Sequence, residues 1–572
     1  MNIFQYFESE FTSILAELVG QSLLPENLDA SRVVFELPRD AAHGDLATNA
    51  AMILAKPAKK SPRDLATVFA VEFEKIDGVT EVEIAGPGFI NLRVLPILWA
   101  RLVTDIIKVN SRYGRSQIGA GAHVNVEFVS ANPTGPLHAA HARGAVIGDA
   151  MASLMEFCGW NVTREYYVND AGGQVDVLAR SAYLRYCEAL GQDIGDIPAG
   201  LYPGDYLKDV GKALAKEVGT RYLDRPEAEW LDDLRQFSTQ SIMDAIKKDL
   251  SALGINMDVF SSERSLVESG AVQHAIDQLQ AAGHLYTGVL APPKGKEPED
   301  WEPREQLLFK ASEFGDETDR PLQKSDGSWT YFAADVAYHL NKLERTKGQL
   351  INIFGADHGG YVKRMNAAVA ALSGEENMLD IKLCQLVNLL DKGKPVKMSK
   401  RAGTFVTVRD VIDAVGADVV RFIMLTRRND QTLDFDFAKV TEQSRDNPVF
   451  YVQYAHARAC SVLRQGEAPD QADLTLLTAD SELTLLKQLA SWPKTVESAA
   501  LAHEPHRIAF YLLDLASHFH SLWTAGREDS SLRFIIEGDN AVTDARLMLV
   551  KATSFVIRKG LNMLAITALE EM

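Results

Sequence analysis

Two histidines and a lysine cluster are the residues of this 572-residue chain best suited to chemistry on a triphosphate. His138 and His141 follow an apolar run, Val124-Asn-Val-Glu-Phe-Val, and a turn, Asn132-Pro-Thr-Gly-Pro-Leu. Downstream of them Val146, Ile147, Ala150, Met151, Leu154 and Met155 recur at helical spacing, so the pair stands at the mouth of a helix. Spaced i and i+3, both rings face the same way. Free N–H groups and the dipole make this end favourable for anions. Imidazoles here can donate to phosphate oxygens as negative charge moves onto a leaving group, which is where an interaction raises rate. Far downstream lies Lys397-Met-Ser-Lys400-Arg401, flanked by Gly393 and Gly403, which give its loop conformational freedom. Lysine ammonium groups are compact charges suited to β- and γ-phosphates. Alone, the histidines could merely cap a helix and the lysines form a solvated turn. Together they point to adenylate-forming chemistry.

The elements that must position these residues follow from periodicity and turn signals. From Val124 strands alternate with helices: Val124 to Phe128, then Trp160 to Val168, then Leu350-Ile-Asn-Ile-Phe and the stretch near Lys382-Leu-Cys-Gln-Leu-Val. The alternation predicts an α/β fold, a Rossmann-like parallel-sheet domain over residues 118–440. Residues 175–290 are mainly helical and read as an insertion. Ala291 to Pro303 reads as a polar, proline-rich loop or hairpin. Residues 1–107 read as an N-terminal α/β module. There Phe4, Phe7, Phe11, Ile14 and Leu15 recur at helical spacing, and two short strands flank Gly86-Pro-Gly. Residues 446–572 carry helical patterning throughout and predict an all-α domain.

The formal net charge of −19 argues against a chain that coats nucleic acid indiscriminately, yet leaves room for a specific RNA partner met by local basic patches. Cys158, Cys187, Cys384 and Cys460 are far apart, which fits a reducing cytoplasm and signals no zinc site. No apolar run is long enough for a membrane span, and the N-terminus lacks the features of a secretion signal. A G-x-x-x-x-G-K-[ST] loop is missing, and Gly119-Ala-Gly121 precedes its strand without a third glycine. An ordinary P-loop NTPase or a dinucleotide dehydrogenase therefore does not fit.

His138-Ala-Ala-His141 and Lys397-Met-Ser-Lys400 resemble the two signatures of class I aminoacyl-tRNA synthetases. Further segments, in order along nearly the whole chain, are similar to arginyl-tRNA synthetases of the bacterial kind. They are Glu127-Phe-Val-Ser-Ala-Asn132-Pro, Tyr167-Val-Asn-Asp-Ala-Gly-Gly, Ser328-Trp-Thr-Tyr331-Phe-Ala-Ala-Asp335, Gly355-Ala-Asp357-His358-Gly-Gly-Tyr and Asn447-Pro-Val-Phe-Tyr-Val-Gln-Tyr. The resemblance implies ligation of L-arginine to tRNA(Arg) through an arginyl-adenylate, with ATP accompanied by Mg²⁺ and no protein metal site. It implies the 2′-hydroxyl of the terminal adenosine as acceptor, and activation that needs tRNA. It places Pro136, Leu137, His138, Ala140, His141, Met398, Ser399 and Lys400 at ATP, with His138, His141, Lys397 and Lys400 as the catalytic set. It places Glu127, Ser130, Asn132, Tyr331, Asp335 and Asp357 at arginine, although Asp357 falls where relatives often carry glutamine. Carboxylates suit that substrate, because a planar guanidinium pairs with them bidentately. A site built on hydrogen-bonded groups can reject analogues by about 10⁴–10⁵ without editing, and the insertion reads as too helical and too short for an editing domain.

The chain departs from the family pattern at Ala140, where glycine is usual beside adenine, and at Arg401, which replaces serine. For RNA, Tyr451, Tyr454 and Arg458, with Arg464, Trp523 and Arg527, offer stacking faces and cations in the C-terminal helices. Phe89 and Asn91 loosely match tRNA contacts of the N-terminal module. A cytoplasmic monomer is expected. The rival readings are another class I synthetase and a catalytically silent RNA-binding paralogue.

Overall fold

The computed structural model describes residues 3–38, 40–290, 304–396, 406–442, 444 and 446–572. The N-terminal module opens with helix α1 (Ile3–Gly20) and strands β1 (Phe35–Glu36) and β2 (Leu46–Thr48). Helices α2 (Ala50–Leu54) and α3 (Pro62–Phe73) then lead to the hairpin β3 (Val79–Ala85) and β4 (Phe89–Val94). Its antiparallel sheet has the order β1-β2-β4-β3. The buried Phe7, Phe11, Phe35, Phe69 and Phe73 pack ring against ring beneath it, which accounts for the helical spacing of phenylalanines in α1.

Helix α4 (Pro96–Val109) runs straight through the boundary expected at residue 107. Its strong apolar face, with Trp99, Val103 and Ile106 buried, carries the chain onto the C-terminal helices. Tyr113, just beyond it, donates its hydroxyl to the Leu489 carbonyl, and Trp492 Nε1 donates back to the Tyr113 carbonyl.

The central domain begins with β5 (His123–Glu127), α5 (Ala139–Phe157) and β6 (Asn161–Val168). Helices α6 (Gln174–Ala189), α7 (Tyr206–Val218) and α8 (Leu231–Ala252) form the helical insertion. The insertion ends earlier than expected. β7 (Val259–Ser262) rejoins the sheet parallel to β6, followed by α9 (Glu263–Glu268) and α10 (Ala271–Ala281). The four residues of β7 are too short a stretch to interrupt a helical reading of 175–290. β8 (Leu285–Gly288), β9 (Gln306–Phe309) and β10 (Arg320–Gln323) make a small antiparallel sheet. The proline-rich stretch expected as a loop or hairpin lies outside the described residues.

Then come α11 (Tyr331–Thr346), β11 (Gln349–Gly355), α12 (Val362–Ser373) and β12 (Leu379–Cys384). The large sheet is all parallel with the order β12-β11-β5-β6-β7. This is the doubly wound order, and the chain changes direction of build between β5 and β11. Ligands of such sheets bind beyond the carboxyl ends of the strands at that point. β13 (Val387–Asp391), β14 (Lys394–Pro395), α13 (Val408–Val415), α14 (Ala417–Met424), β15 (Leu433–Asp436) and α15 (Phe437–Val440) close the domain.

The C-terminal domain is all-α: α16 (Pro448–Gln465), α17 (Asp480–Ala502), α18 (His506–Glu528) and α19 (Asn540–Met563). It is pinned to the sheet domain by Arg421, which is fully buried. Its guanidinium reaches the carbonyls of Leu564 and Leu253 and the Asp149 carboxylate at 2.6 Å. None of the described helices is long and apolar enough to cross a membrane.

Candidate active site

The tract after β5 turns sharply at the switch point. Val129 and Ser130 both have positive φ, 70° and 41°. For a β-branched residue this is strained backbone, which persists only where neighbours over-determine it. Here Ser130 Oγ accepts from the Tyr167 N–H at 3.1 Å, and the Tyr166 hydroxyl donates to the Ala131 carbonyl at 2.7 Å. The Tyr206 hydroxyl, from the helical insertion, donates to the Thr134 carbonyl at 2.6 Å. Gly148 lets α5 lie against this turn, since a Cβ there would meet Phe128 Cγ at 2.2 Å.

His138 is the N-cap of α5, and its ring centroid lies 4.0 Å from that of His141. The His138 N–H donates to His141 Nδ1 at 3.3 Å. With Nδ1 accepting, the neutral His141 ring carries its proton on Nε2. The chain after the lysine cluster returns to this turn. The Ala139 N–H donates to the Val406 carbonyl and the Val408 N–H to the Leu137 carbonyl, at 2.9 and 2.8 Å. Lys397, Met398, Ser399 and Lys400 themselves lie outside the described residues.

Two adjoining cavities result. One, of about 730 Å³, is lined by Asn132, Pro136, His138, Ala140 and His141, together with Tyr202, Tyr206, Val387 and Leu389. Leu137, expected at ATP, is corrected: its side chain is 1% exposed and belongs to the core. The second cavity, of about 350 Å³, is lined by Glu127, Ser130, Asn132, Tyr331 and Asp335. Asn132 borders both. Asp357 is also corrected. Its side chain is 81% exposed and it does not line the cavity, whereas His358 and Tyr361 of the same turn do.

The second cavity is acidic. Glu127 is buried, accepting from Ser130 Oγ at 3.0 Å and from Lys342 Nζ at 2.7 Å. Glu263, at the start of α9, lines the same cavity, buried beside Tyr167. Asp335, one turn into α11, has no ion-pair partner among the described residues. Burial, then the negative charges of Glu127 and Glu263, push its carboxyl up to about 7. Burial likewise raises Glu263. Such a cavity favours an added cation. Glu263, His358 and Tyr361 escaped the sequence reading. His358 and Tyr361 lie within the Gly355-Ala-Asp357-His358-Gly-Gly-Tyr segment, but Glu263 gives no signal in sequence, because its place depends on β7 rejoining the sheet.

A pH dependence follows. Cation binding needs Asp335 ionised, so affinity for a guanidinium is expected to be full above pH 7 and to fall as pH drops through 7. For folding alone the sign is opposite. A carboxyl raised in the folded state contributes stability below its unfolded pKa, and that contribution is lost as pH rises through 7. Thermal shifts with added arginine at pH 6 and pH 8 check the first sign: the ligand-induced shift should be larger at pH 8.

Of the residues expected at tRNA, Phe89 is exposed at the tip of the β3–β4 hairpin and Tyr454 is exposed on α16. Arg458 lies over the rings of Tyr454 and Trp523, with centroid distances of 4.4 and 4.6 Å. Tyr451 is half-buried and packs against the core and His520. Asn91 is corrected: it is buried in β4 between Ala47 and Glu83, so it offers no surface contact.

The chain matches three family models. They are described as the arginyl tRNA synthetase N terminal domain over residues 5–94, the tRNA synthetases class I (R) catalytic domain over 102–441, and the DALR anticodon binding domain over 452–572. It is 55% identical over 581 aligned positions to the arginine–tRNA ligase of Ruegeria sp. (strain TM1040), covering all of both chains. The arginine–tRNA ligase of Paracoccus denitrificans (strain Pd 1222) is similar at the same identity and coverage. In fold it resembles the Thermus thermophilus arginyl-tRNA synthetase, with a TM-score of 0.74 and 21% identity over 99% of this chain and 100% of that one.

Proposed function

The chain belongs to the arginine–tRNA ligases, a family of class I aminoacyl-tRNA synthetases, and from that premise we propose how its two cavities divide the reaction. Arginine enters the acidic cavity with its guanidinium toward Glu127 and Asp335 and its carboxylate toward Asn132. ATP enters the larger cavity with its phosphates at the start of α5. The arginine carboxylate attacks the α-phosphorus, the bond to the β-phosphate oxygen breaks, and pyrophosphate leaves. Transfer of the arginyl group to the terminal adenosine of tRNA(Arg) then releases AMP.

The observation that carries this reading is Asn132, shared by an acidic cavity and a cavity holding both histidines. Two substrates on either side of one residue are held for direct attack, which removes much of the entropic barrier. His138 and His141 donate to the phosphates. Lys397 and Lys400 neutralise the leaving pyrophosphate. In support of that role, Leu389, which bonds Val396, lines the cavity, and Val406 bonds the histidine turn. Mg²⁺ accompanies ATP as its counterion. Phe89, Tyr454 and Arg458, with Tyr451 behind them, meet tRNA. The protein works as a cytoplasmic monomer.

Charging of total tRNA with labelled arginine tests the reading, with pyrophosphate exchange across the amino acids, with and without tRNA, beside it. Arginine-dependent exchange and charging are expected. Charging with a different amino acid, or RNA binding without any charging, would favour the rival readings instead. Ala140→Gly is expected to lower the ATP KM by up to about tenfold, because one methyl leaves the cavity wall. The same change, in the first turn of α5, costs at most about 1 kcal/mol of helix stability, readable as a lower Tm.

A further inference from the structure

Lys342 of α11 is fully buried, yet no step of the proposed reaction uses it. Its Nζ donates to Glu127 Oε2 at 2.7 Å and to Asn352 Oδ1 at 2.8 Å, and lies 4.6 Å from the Tyr338 ring centroid. Asn352 of β11 passes the chain on: its Nδ2 donates to His339 Nε2 at 2.9 Å. His339 Nδ1 donates to the Asp335 carbonyl at 2.8 Å. Burial holds the His339 ring neutral, which suits one donor and one acceptor nitrogen. Glu127 on β5 is thus linked through Lys342, Asn352 and His339 to the main chain of α11 at Asp335.

Stability alone does not account for such a pair. A buried ion pair is often matched or bettered by apolar residues of the same volume. We propose that Lys342 is a positioning residue for arginine: its ammonium fixes Glu127 through Oε2, so that Oε1, which accepts from Ser130 Oγ and keeps a second lone pair, and the Asp335 carboxylate form the two-point acceptor for the guanidinium. It also offsets one of three neighbouring negative charges, so that a guanidinium rather than protons completes the site. This rests on the assignment of the acidic cavity to arginine.

The test is equilibrium dialysis of full-length protein with labelled L-arginine, together with steady-state charging. K342M is expected to raise the arginine Kd and KM about ten- to a hundredfold, leaving the ATP KM and the kcat at saturating arginine near wild type. In an E127Q background the same change should have no further effect, because the penalty passes through Glu127. The groups that face Asp335 are Glu127 on β5, Glu263 on α9, Lys342 on α11 and Arg364 on α12, with Tyr167, His358 and Tyr361 around them. Loss of Lys342 should therefore move the pH at which arginine binding fades upward. N352L keeps the charge but cuts the tether, and should weaken arginine without moving that pH.

Wild-type arginine affinity in K342M overturns the proposal, as does an equal penalty in the E127Q background, which marks a structural role. If K342M does not fold, wild-type affinity in N352L overturns it. Wild-type protein that binds arginine with no loss in E127Q or D335N sinks the assignment of the cavity instead, whatever Lys342 does.

Discussion

Asp335→Asn is expected to cut kcat/KM for arginine by a factor of roughly 30 to several thousand while leaving the ATP KM nearly unchanged. The magnitude is that of truncating one partner of a buried, hydrogen-bonded charge pair, about 2–5 kcal/mol. Asparagine keeps the shape and one acceptor oxygen but turns an amide donor toward a substrate group that only donates. Glu127 is left as the carboxylate facing the guanidinium, with one of its oxygens already held by Lys342. Glu263 remains nearby, beside Tyr167. The fall in arginine affinity below pH 7 should vanish in the variant, because the group that titrates there is gone. Steady-state charging across pH 6–8 reads both effects. Equal losses for arginine and ATP would point to a folding defect, and unchanged arginine kinetics would remove Asp335 from the site.

The division of the site into two cavities was legible in sequence only where chemistry and local periodicity coincide. Glu127, Asn132, His138 and His141 sit within one strand, one turn and one helix start, so spacing alone brings them near each other. Tyr331 and Asp335 fall one helical turn apart on α11, and both reach the acidic cavity. Glu263 and Lys342 come from elsewhere in the chain. Their partners are set by parallel pairing of β7 with β6 and of β11 with β5, which no local pattern announces. Asn91 illustrates a different limit. It alternates onto the same face as the exposed Phe89, but it lies mid-sheet between β2 and β3 and is covered there. Leu137 and Asp357 were placed by their neighbours in a motif. Tertiary packing sends the first into the core and leaves the second in solvent.

His141→Ala is expected to lower kcat by about 10²–10³, the usual loss when one preorganised donor to developing charge is removed, with little change in KM for arginine or ATP. The direction of the donor is what matters. His141 Nδ1 accepts the N–H of its own N-cap, so the neutral ring offers Nε2–H as its donor and cannot turn without breaking that bond. Glutamine places an amide nitrogen close to the imidazole Nε2 position, whereas asparagine reaches only as far as Nδ1. His141→Gln should therefore recover a large part of the lost rate and His141→Asn should not. Single-turnover adenylate formation in the presence of tRNA separates this chemistry from product release. Rescue by asparagine and not by glutamine would mean that the ring acts by accepting the N-cap N–H of α5 at Nδ1 rather than by donating to phosphate. In that case Tm would fall in step with the rate for all three variants.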